Sequence, residues 1–184
     1  MEGFPEQFFS RADENDDNVF YGTARLVTHI DDDAIAAVAD LYDELRIDGD
    51  VLDLMSSWVS HFHTTPRHLS VLGMNEPELA ANTAAAERIV HDLNADPRIP
   101  LENESIDDAL CCVSVDYLTR PVEVFRDVAR VLRPGGRLVC TFSNRVFPSK
   151  AIRGWLYASD EERCAIVAEY FGLSRVFDTP TVSR

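Results

Sequence analysis

Apolar residues recur along this chain with two kinds of spacing, one typical of helices and one typical of buried strands. Residues 32–46 place apolar side chains at helical spacing, with aspartates at their start where the helix dipole favours negative charge, and predict a helix. The short apolar run 51–54 then predicts a buried strand. The same reasoning predicts further strands at 69–74, 89–93, 109–115 and 137–142, and further helices at 77–81, 121–132 and 161–170.

Strands that alternate with helices predict an α/β fold, here a Rossmann-like parallel-rich sheet with helices on both faces. The continuous apolar run at 109–115 is typical of a strand that is covered on both sides. Pro134-Gly135-Gly136 is expected to end the helix before it and to turn the chain into the last strand. Residues 1–30 are predicted to form a strap or lid, and residues 31–184 a single α/β domain.

The net charge of the chain argues against some classes of binding partner. A net charge of −15 argues against a nucleic-acid backbone or an anionic membrane as partner. No apolar run approaches the length of a membrane span, and the acidic start does not resemble a signal peptide, so we expect a cytoplasmic protein. The acidic surface fits a high-salt cytoplasm, where screening relieves self-repulsion, and equally fits an ordinary acidic protein.

Cysteines and histidines give no sign of a metal centre. The four cysteines lack metal-type spacing, and Cys111 and Cys112 would point to opposite faces of a strand, so free thiols are expected. His61, His63 and His68 lack a fourth ligand at a recognisable spacing, and no metal is predicted. No order of serine, histidine and aspartate supports hydrolase chemistry.

Polar residues close each predicted strand. Asp53 closes the first strand, Asn75 follows 22 positions later at the end of the second, and Asp92 closes the third. Residues 112–114 end the fourth strand. The carboxyl ends of parallel strands meet at one edge of a sheet, so these side chains would frame a crevice of nucleoside size. Each residue taken alone is more often a turn or cap residue.

The order of four segments resembles the class I S-adenosylmethionine-dependent methyltransferases, and is most similar to their type 11 branch. The segments are VLDL, LGMNEPEL, DLNADPRIPLENESIDDALCCVSVDYL and VEVFRDVARVLRPGGRLV, within about residues 48 to 145, and LRPGGRL is the most specific of them. The resemblance implies S-adenosylmethionine as cofactor and a small-molecule methyl acceptor. It implies no particular catalytic residue.

The resemblance also implies cofactor contacts. Asp53 would help to hold the methionine moiety, and Asp92 would accept from the adenine amino group while Leu93 packs on the ring. Asn75 stands where the family carries the acid that binds the ribose diol, and it binds a diol more weakly than a carboxylate does. Glu76 is an alternative if the turn rotates. The remaining contacts, beside the methionine end, would be Cys112, Val113 and Ser114.

The turn after the first strand departs from the family because it lacks glycine. Met55, Ser56 and Ser57 place side chains where glycines would let the backbone approach a ligand. We expect the two serine hydroxyls, at a strand-to-helix turn, to bond the cofactor's carboxylate with helix amides behind them, and Met55 to line an apolar wall. For Trp58, packing in the core is favoured over covering the ligand.

Candidate acceptor contacts lie in three places. Tyr21 and Arg25 lie before the first strand, where the family often places a lid, and an ordered strap is the alternative role. The others follow the fourth and fifth strands and are Asp116, Tyr117, Asn144 and Arg145.

The carboxyl end also departs from the family, whose members usually finish with two further strands. Residues 176–182 are predicted to supply one strand, so either the fold is trimmed or further residues complete it. The exposed edge would be covered by a homodimer or by another segment.

Two other functions compete with methyl transfer. One is a catalytically silent methyltransferase-like scaffold. The glycine-free turn is the feature that would distinguish such a scaffold from an active methyltransferase. The other, a nicotinamide dehydrogenase, lacks the glycines that bind pyrophosphate.

Overall fold

A parallel sheet lies at the centre of the computed structural model, which describes residues 3–183. Its strands are β1 (Asp50–Leu54), β2 (His68–Gly73), β3 (Glu87–Val90), β4 (Ile106–Cys112) and β5 (Leu132–Thr141). They lie in the order β3-β2-β1-β4-β5, and every neighbouring pair is parallel. The predicted α/β fold with a parallel sheet is confirmed.

Six α-helices surround the sheet in the described part of the chain. They are α1 (Asp17–Tyr21), α2 (Asp32–Glu44), α3 (Glu76–Ala81), α4 (Pro121–Val131), α5 (Arg153–Leu156) and α6 (Asp160–Ser174). A single 3-10 turn, Val115–Tyr117, follows β4. The helices predicted at 32–46, 77–81, 121–132 and 161–170 are confirmed within a few residues at each end.

Two apolar clusters hold the helices against opposite faces of the sheet. On one face, Val38 and Tyr42 of α2 pack with Val51 and Leu69 of β1 and β2. On the other face, the apolar sides of α4 and α6 share a cluster that includes Tyr170. Burial of these side chains is the main stabilising term in such a fold. The layers leave the carboxyl ends of the strands open to one side of the molecule.

Three strands have boundaries that differ from the prediction, and the backbone explains two of these differences. The predicted strand 109–115 ends at Cys112, because Val113 takes a positive φ of 45° and the 3-10 turn follows. The predicted strand 137–142 begins earlier, at Leu132, because Pro134-Gly135-Gly136 lies within β5 as an irregularity in its register against β4. The third strand is Glu87–Val90, four residues at one edge of the sheet, where 89–93 was expected.

The connection from β1 to β2 contains no helix in the described structure. Residues 55–67 form an irregular loop, so the expected strand-to-helix turn with helix amides behind it is wrong. The amide of Ser56 donates instead to the carbonyl of Leu72, across 2.7 Å. A Cβ added to Gly73 would lie 2.3 Å from the carbonyl oxygen of Ser56, so glycine at this position lets the loop cross the end of β2.

The structure of the carboxyl-terminal segment also differs from the prediction. Residues 176–182 contain no strand, so the strand predicted there is wrong, and β5 pairs only with β4 among the described strands. No helix within residues 3–183 is both long enough and apolar enough to cross a membrane. The division into a strap at 1–30 and a domain at 31–184 stays a prediction, and Met1, Glu2 and Arg184 lie outside the described residues.

Candidate functional site

A cavity of about 250 Å³ opens at the carboxyl ends of the strands. It collects side chains from the ends of β1, β2, β3 and β4, as expected for a parallel sheet. All ten residues predicted to contact the cofactor line it: Asp53, Met55, Ser56, Ser57, Asn75, Asp92, Leu93, Cys112, Val113 and Ser114. Their role in cofactor binding stays a prediction.

Asp53, near the end of β1, is 6% exposed, and its carboxylate is already bonded within the chain. Its Oδ2 accepts from the hydroxyls of Ser56 and Ser60, each at 2.7 Å. Burial raises the pKa of Asp53 to about 6, although the two hydroxyl bonds act in the opposite direction. Ser56 therefore supports the strand-end carboxylate in this conformation.

The turn after β1 has a backbone conformation that usually requires glycine, although it contains no glycine. Met55 has a positive φ of 53°, a conformation that favours glycine. Ser57 donates its hydroxyl to Oε2 of Glu78 at 2.6 Å, and the indole of Trp58 donates to the carbonyl of Val27 at 3.1 Å. Trp58 is half-buried at the cavity and lies outside both apolar clusters, so its expected core position is not observed.

Asn75 caps α3. Its Oδ1 accepts from the amide of Glu78 at 3.0 Å, and its Nδ2 donates to the carbonyl of Tyr21 at 2.7 Å. Glu78 lines the cavity, whereas the alternative ribose acid, Glu76, does not. Sequence reasoning missed Glu78, although the spacing Asn-x-x-Glu at a helix start is a signal that points to it. The first carboxylate after β2 in the sequence that lines the cavity is therefore three residues beyond the cap.

Asp92 follows β3 and organises a tight turn. The amides of Asn94 and Ala95 donate to its Oδ1 at 2.8 and 3.2 Å. Neither of these two bonds engages the second carboxylate oxygen, Oδ2. The next residue, Leu93, is buried in the core and also lines the cavity. An acceptor oxygen beside an apolar side chain suits a planar ring that carries an amino group.

The end of β4 supplies buried sulfur and hydroxyl groups. The hydroxyl of Ser114 donates to the carbonyl of Cys112 at 3.0 Å. Burial raises the pKa of the Cys112 thiol to about 12. Cys111 packs in one apolar cluster and Cys112 borders the other, and all four cysteines are free, as expected.

The predicted acceptor residues divide into two groups. Those that line the cavity are Tyr21, Arg25, Tyr117 and Arg145. Asp116 and Asn144 do not line it: Asp116 is buried, and burial raises its pKa to about 7, whereas Asn144 is exposed. Asp116 lies in the 3-10 turn between Val115, which packs in the core, and Tyr117, which lines the cavity.

An aromatic cluster borders the cavity on the side of β4 and β5. The ring of Phe147 lies 5.4 Å from Phe20, 5.1 Å from His29 and 6.0 Å from Tyr117. The hydroxyl of Tyr117 accepts from the amide of Phe147 at 2.8 Å, which fixes the loop after β5. Sequence reasoning missed Phe147 and His29, because neither belongs to a recognisable motif.

The three histidines considered as metal ligands have separate surroundings. His63 lies 2.8 Å from Asp40, His68 lies 3.9 Å from Glu87, and His61 lines the cavity. Burial lowers the pKa of His61. Within residues 3–183, no group of three or more histidine, cysteine or acidic side chains is arranged to hold a metal ion.

Comparison with known proteins identifies the central region. Residues 55–140 match the family model described as a methyltransferase domain. This part of the chain is similar to the methyltransferase domain family. The match runs from the turn after β1 to β5 and so covers most of the residues that line the cavity. No curated protein matches the chain.

Two solved structures illustrate what this chain is similar to, and the first shares its fold. A protein assigned as a methyltransferase from Bacillus halodurans C-125 has a TM-score of 0.52 at 14% identity, over 72% of this chain and 68% of that one. An S-adenosylmethionine-dependent methyltransferase from Mesorhizobium loti is 22% identical over 59% of this chain and 55% of that one, with a TM-score of 0.46. This chain thus spans about half the length of some of the structures that it matches.

Proposed function

We propose that this chain binds S-adenosylmethionine across the carboxyl ends of its strands and methylates a small molecule. The observation that carries the proposal is the position of the cavity. It gathers Asp92 and the end of β4, which lie within the region that matches the methyltransferase domain family, and Asp53, which lies just before that region. The charge of the side chains that line the cavity supports the same cofactor. The carboxylates of Asp53, Glu78 and Asp92 favour a cationic ligand such as a sulfonium.

The residues present fit the adenosine part of the cofactor. Asp92 would accept from the adenine amino group through Oδ2, and Leu93 would pack against the ring. Glu78 offers carboxylate oxygens to the ribose hydroxyls, in exchange for its present bond to Ser57. At the methionine end, Asp53 is the acceptor that suits an ammonium group, since it lies under the turn as a buried carboxylate.

Bound S-adenosylmethionine supplies an activated methyl group, and the chain's share of the reaction is positioning. The aromatic cluster around Phe147 would shape the acceptor site and exclude water from it, since its rings border the cavity on the side of β5. Tyr21 and Tyr117 would contact the acceptor. Burial raises the pKa of both phenols, so they stay protonated hydrogen-bond donors at neutral pH. An acceptor that is already nucleophilic needs only alignment with the methyl group.

The variant Asp92→Asn tests the proposal at the adenine end. Asparagine keeps an oxygen for the amides of Asn94 and Ala95, so the turn is preserved, but it replaces Oδ2 by an NH₂ donor. Binding of S-adenosylhomocysteine should weaken by about 1–3 kcal/mol in isothermal titration calorimetry. Asp96→Asn is the matched control, because Asp96 is exposed, adjoins the same turn and does not line the cavity. Equal affinity in the wild type and both variants would contradict this placement of adenine.

A further inference from the structure

The loop after β1 leaves one part of the proposed cofactor without a partner. A carboxylate is commonly held by free amides at the start of a helix, but residues 55–67 form no helix. The amide of Ser56 is already bonded to the carbonyl of Leu72. The hydroxyls of Ser56 and Ser57 are bonded to Asp53 and Glu78. An anion that enters this end of the cavity needs a donor from another element.

Arg25 of the amino-terminal segment has the chemistry of that donor. Its guanidinium donates to the carbonyls of Phe20 and Thr23 at 2.9 and 3.2 Å, and it stacks over the ring of Phe20 at 4.6 Å. These contacts hold the side chain in one orientation while several of its five N–H groups remain available. No carboxylate in residues 3–183 forms an ion pair with Arg25, whereas Arg145, the other arginine of the cavity, lies 3.8 Å from Asp31.

The backbone of Arg25 connects to the turn through the carboxylate of Glu78. Its amide donates to Oε1 of Glu78 at 2.6 Å, and the other oxygen of that carboxylate accepts from Ser57. The guanidinium lies 5.8 Å from the ring of Phe147, on the side of the cavity that β4 and β5 border. Arg25 therefore lies between the turn, where the amino-acid part of the cofactor is expected, and the expected acceptor site.

We propose that Arg25 is the carboxylate-binding residue of the cavity and that it replaces the helix amides missing after β1. The inference rests on the proposed function for the identity of the ligand. The carboxylate belongs either to the amino-acid part of the cofactor or to an acidic acceptor, and both present the same planar anion to the guanidinium fork. A side-chain cation of this kind lets the site function with a turn that contains no glycine.

The experiment compares two adenosine ligands in the wild type and in Arg25→Met. S-adenosylhomocysteine carries the amino-acid carboxylate, and 5′-methylthioadenosine lacks it. If Arg25 binds the cofactor, Arg25→Met weakens S-adenosylhomocysteine about 10- to 100-fold in calorimetry and leaves 5′-methylthioadenosine unchanged, as expected for charge-assisted bonds. Arg98→Met, which removes an exposed arginine that does not line the cavity, should leave both affinities within about twofold.

A second arm uses benzoate as a plain carboxylate probe. If the carboxylate belongs to the acceptor, Arg25→Met weakens benzoate binding while the ratio of the two adenosine affinities stays constant. Unchanged affinity for both S-adenosylhomocysteine and benzoate would overturn the proposal. Absence of binding of either adenosine ligand to the wild type would overturn the proposed function instead, and the benzoate arm would still test Arg25. Arg25→Lys keeps the charge without the fork, and should give an intermediate loss if Arg25→Met fails to fold.

Discussion

Nζ of Lys150 lies 2.9 Å from Oδ1 of Asp17, and the lysine side chain is fully buried. Lys150 is the only lysine in the sequence. Arg11 donates to the same aspartate at 2.8 Å, and Asn94 donates to it at 3.1 Å. Burial opposes ionisation of Asp17, but the bonds from Arg11, Asn94 and Lys150 outweigh it and hold its pKa below the usual value. The pair anchors the segment that carries Tyr21 and Arg25 over the cavity.

Loss of this anchor should destabilise the fold. Lys150→Met leaves the buried Asp17 with one cation fewer, and we expect it to lower the free energy of unfolding by about 3–5 kcal/mol. Urea denaturation followed by circular dichroism measures the change. Arg120→Gln removes an exposed ion pair with Glu123 and serves as control, with an expected loss below about 1 kcal/mol. A loss of similar size in both variants would contradict the anchoring role.

Asp53 should make stability depend on pH in the acid range. Its pKa in the folded protein is about 6, above the ordinary value of 3.8, so the folded state holds the proton more tightly than the unfolded state does. Ionised Asp53 therefore destabilises the fold above about pH 6, and this cost disappears as the pH falls from 6 to 4. Relative to the wild type, Asp53→Asn should gain up to about 3 kcal/mol between pH 4 and pH 7.

Chemical denaturation of both proteins at several pH values measures this difference. The control is Asp178→Asn, because Asp178 is exposed in the carboxyl-terminal segment. If the difference between Asp53→Asn and the wild type stays constant from pH 4 to pH 7, the carboxyl of Asp53 is not perturbed by burial.

Asn75 offers a test that separates its helix cap from a ligand contact. Asn75→Ala removes the bond to the amide of Glu78 and should cost about 1 kcal/mol of stability, whereas Asn75→Ser should keep most of the cap. We expect Asn75→Ser to weaken binding of S-adenosylhomocysteine less than Asp92→Asn does, because the proposed complex assigns the ribose hydroxyls to Glu78. A larger loss in Asn75→Ser than in Asp92→Asn would assign the ribose contact to Asn75.

Strands and helices with strong periodicity could be predicted from the sequence. α2 and β1 agree with their predicted spans because their apolar spacing leaves little choice. The end of β4 could not be predicted in the same way, since Val113 is a good strand residue that here takes a positive φ. The helix expected after β1 does not form, and Pro66 and the serines and histidines of residues 55–67 indeed give little helical signal.

Most of the site residues that could be predicted follow the strands directly. Asp53, Asn75 and Asp92 reach the cavity because the carboxyl ends of parallel strands meet at one edge. Glu78 and Phe147 depend on a helix cap and on a loop contact, which are tertiary features that periodicity does not encode.

Salt should stabilise this protein. The sequence has 32 acidic and 17 basic residues, and screening weakens repulsion among exposed carboxylates. We expect Tm to rise between low salt and molar potassium chloride, by about 2–4 °C for each kcal/mol gained. Glucose at equal osmolality controls for exclusion of solute from the surface. A flat or falling Tm in potassium chloride would contradict the high-salt interpretation.

Calorimetric titration of the wild-type protein with S-adenosylhomocysteine, in low salt and in molar potassium chloride, tests cofactor binding most directly. We predict a saturable heat with one site for each chain, accompanied by a rise in Tm, because a ligand that binds only the folded state stabilises it. Absence of heat and of any thermal shift at millimolar ligand, in both salt conditions, would contradict the proposed methyltransferase and would favour a silent scaffold with the same fold.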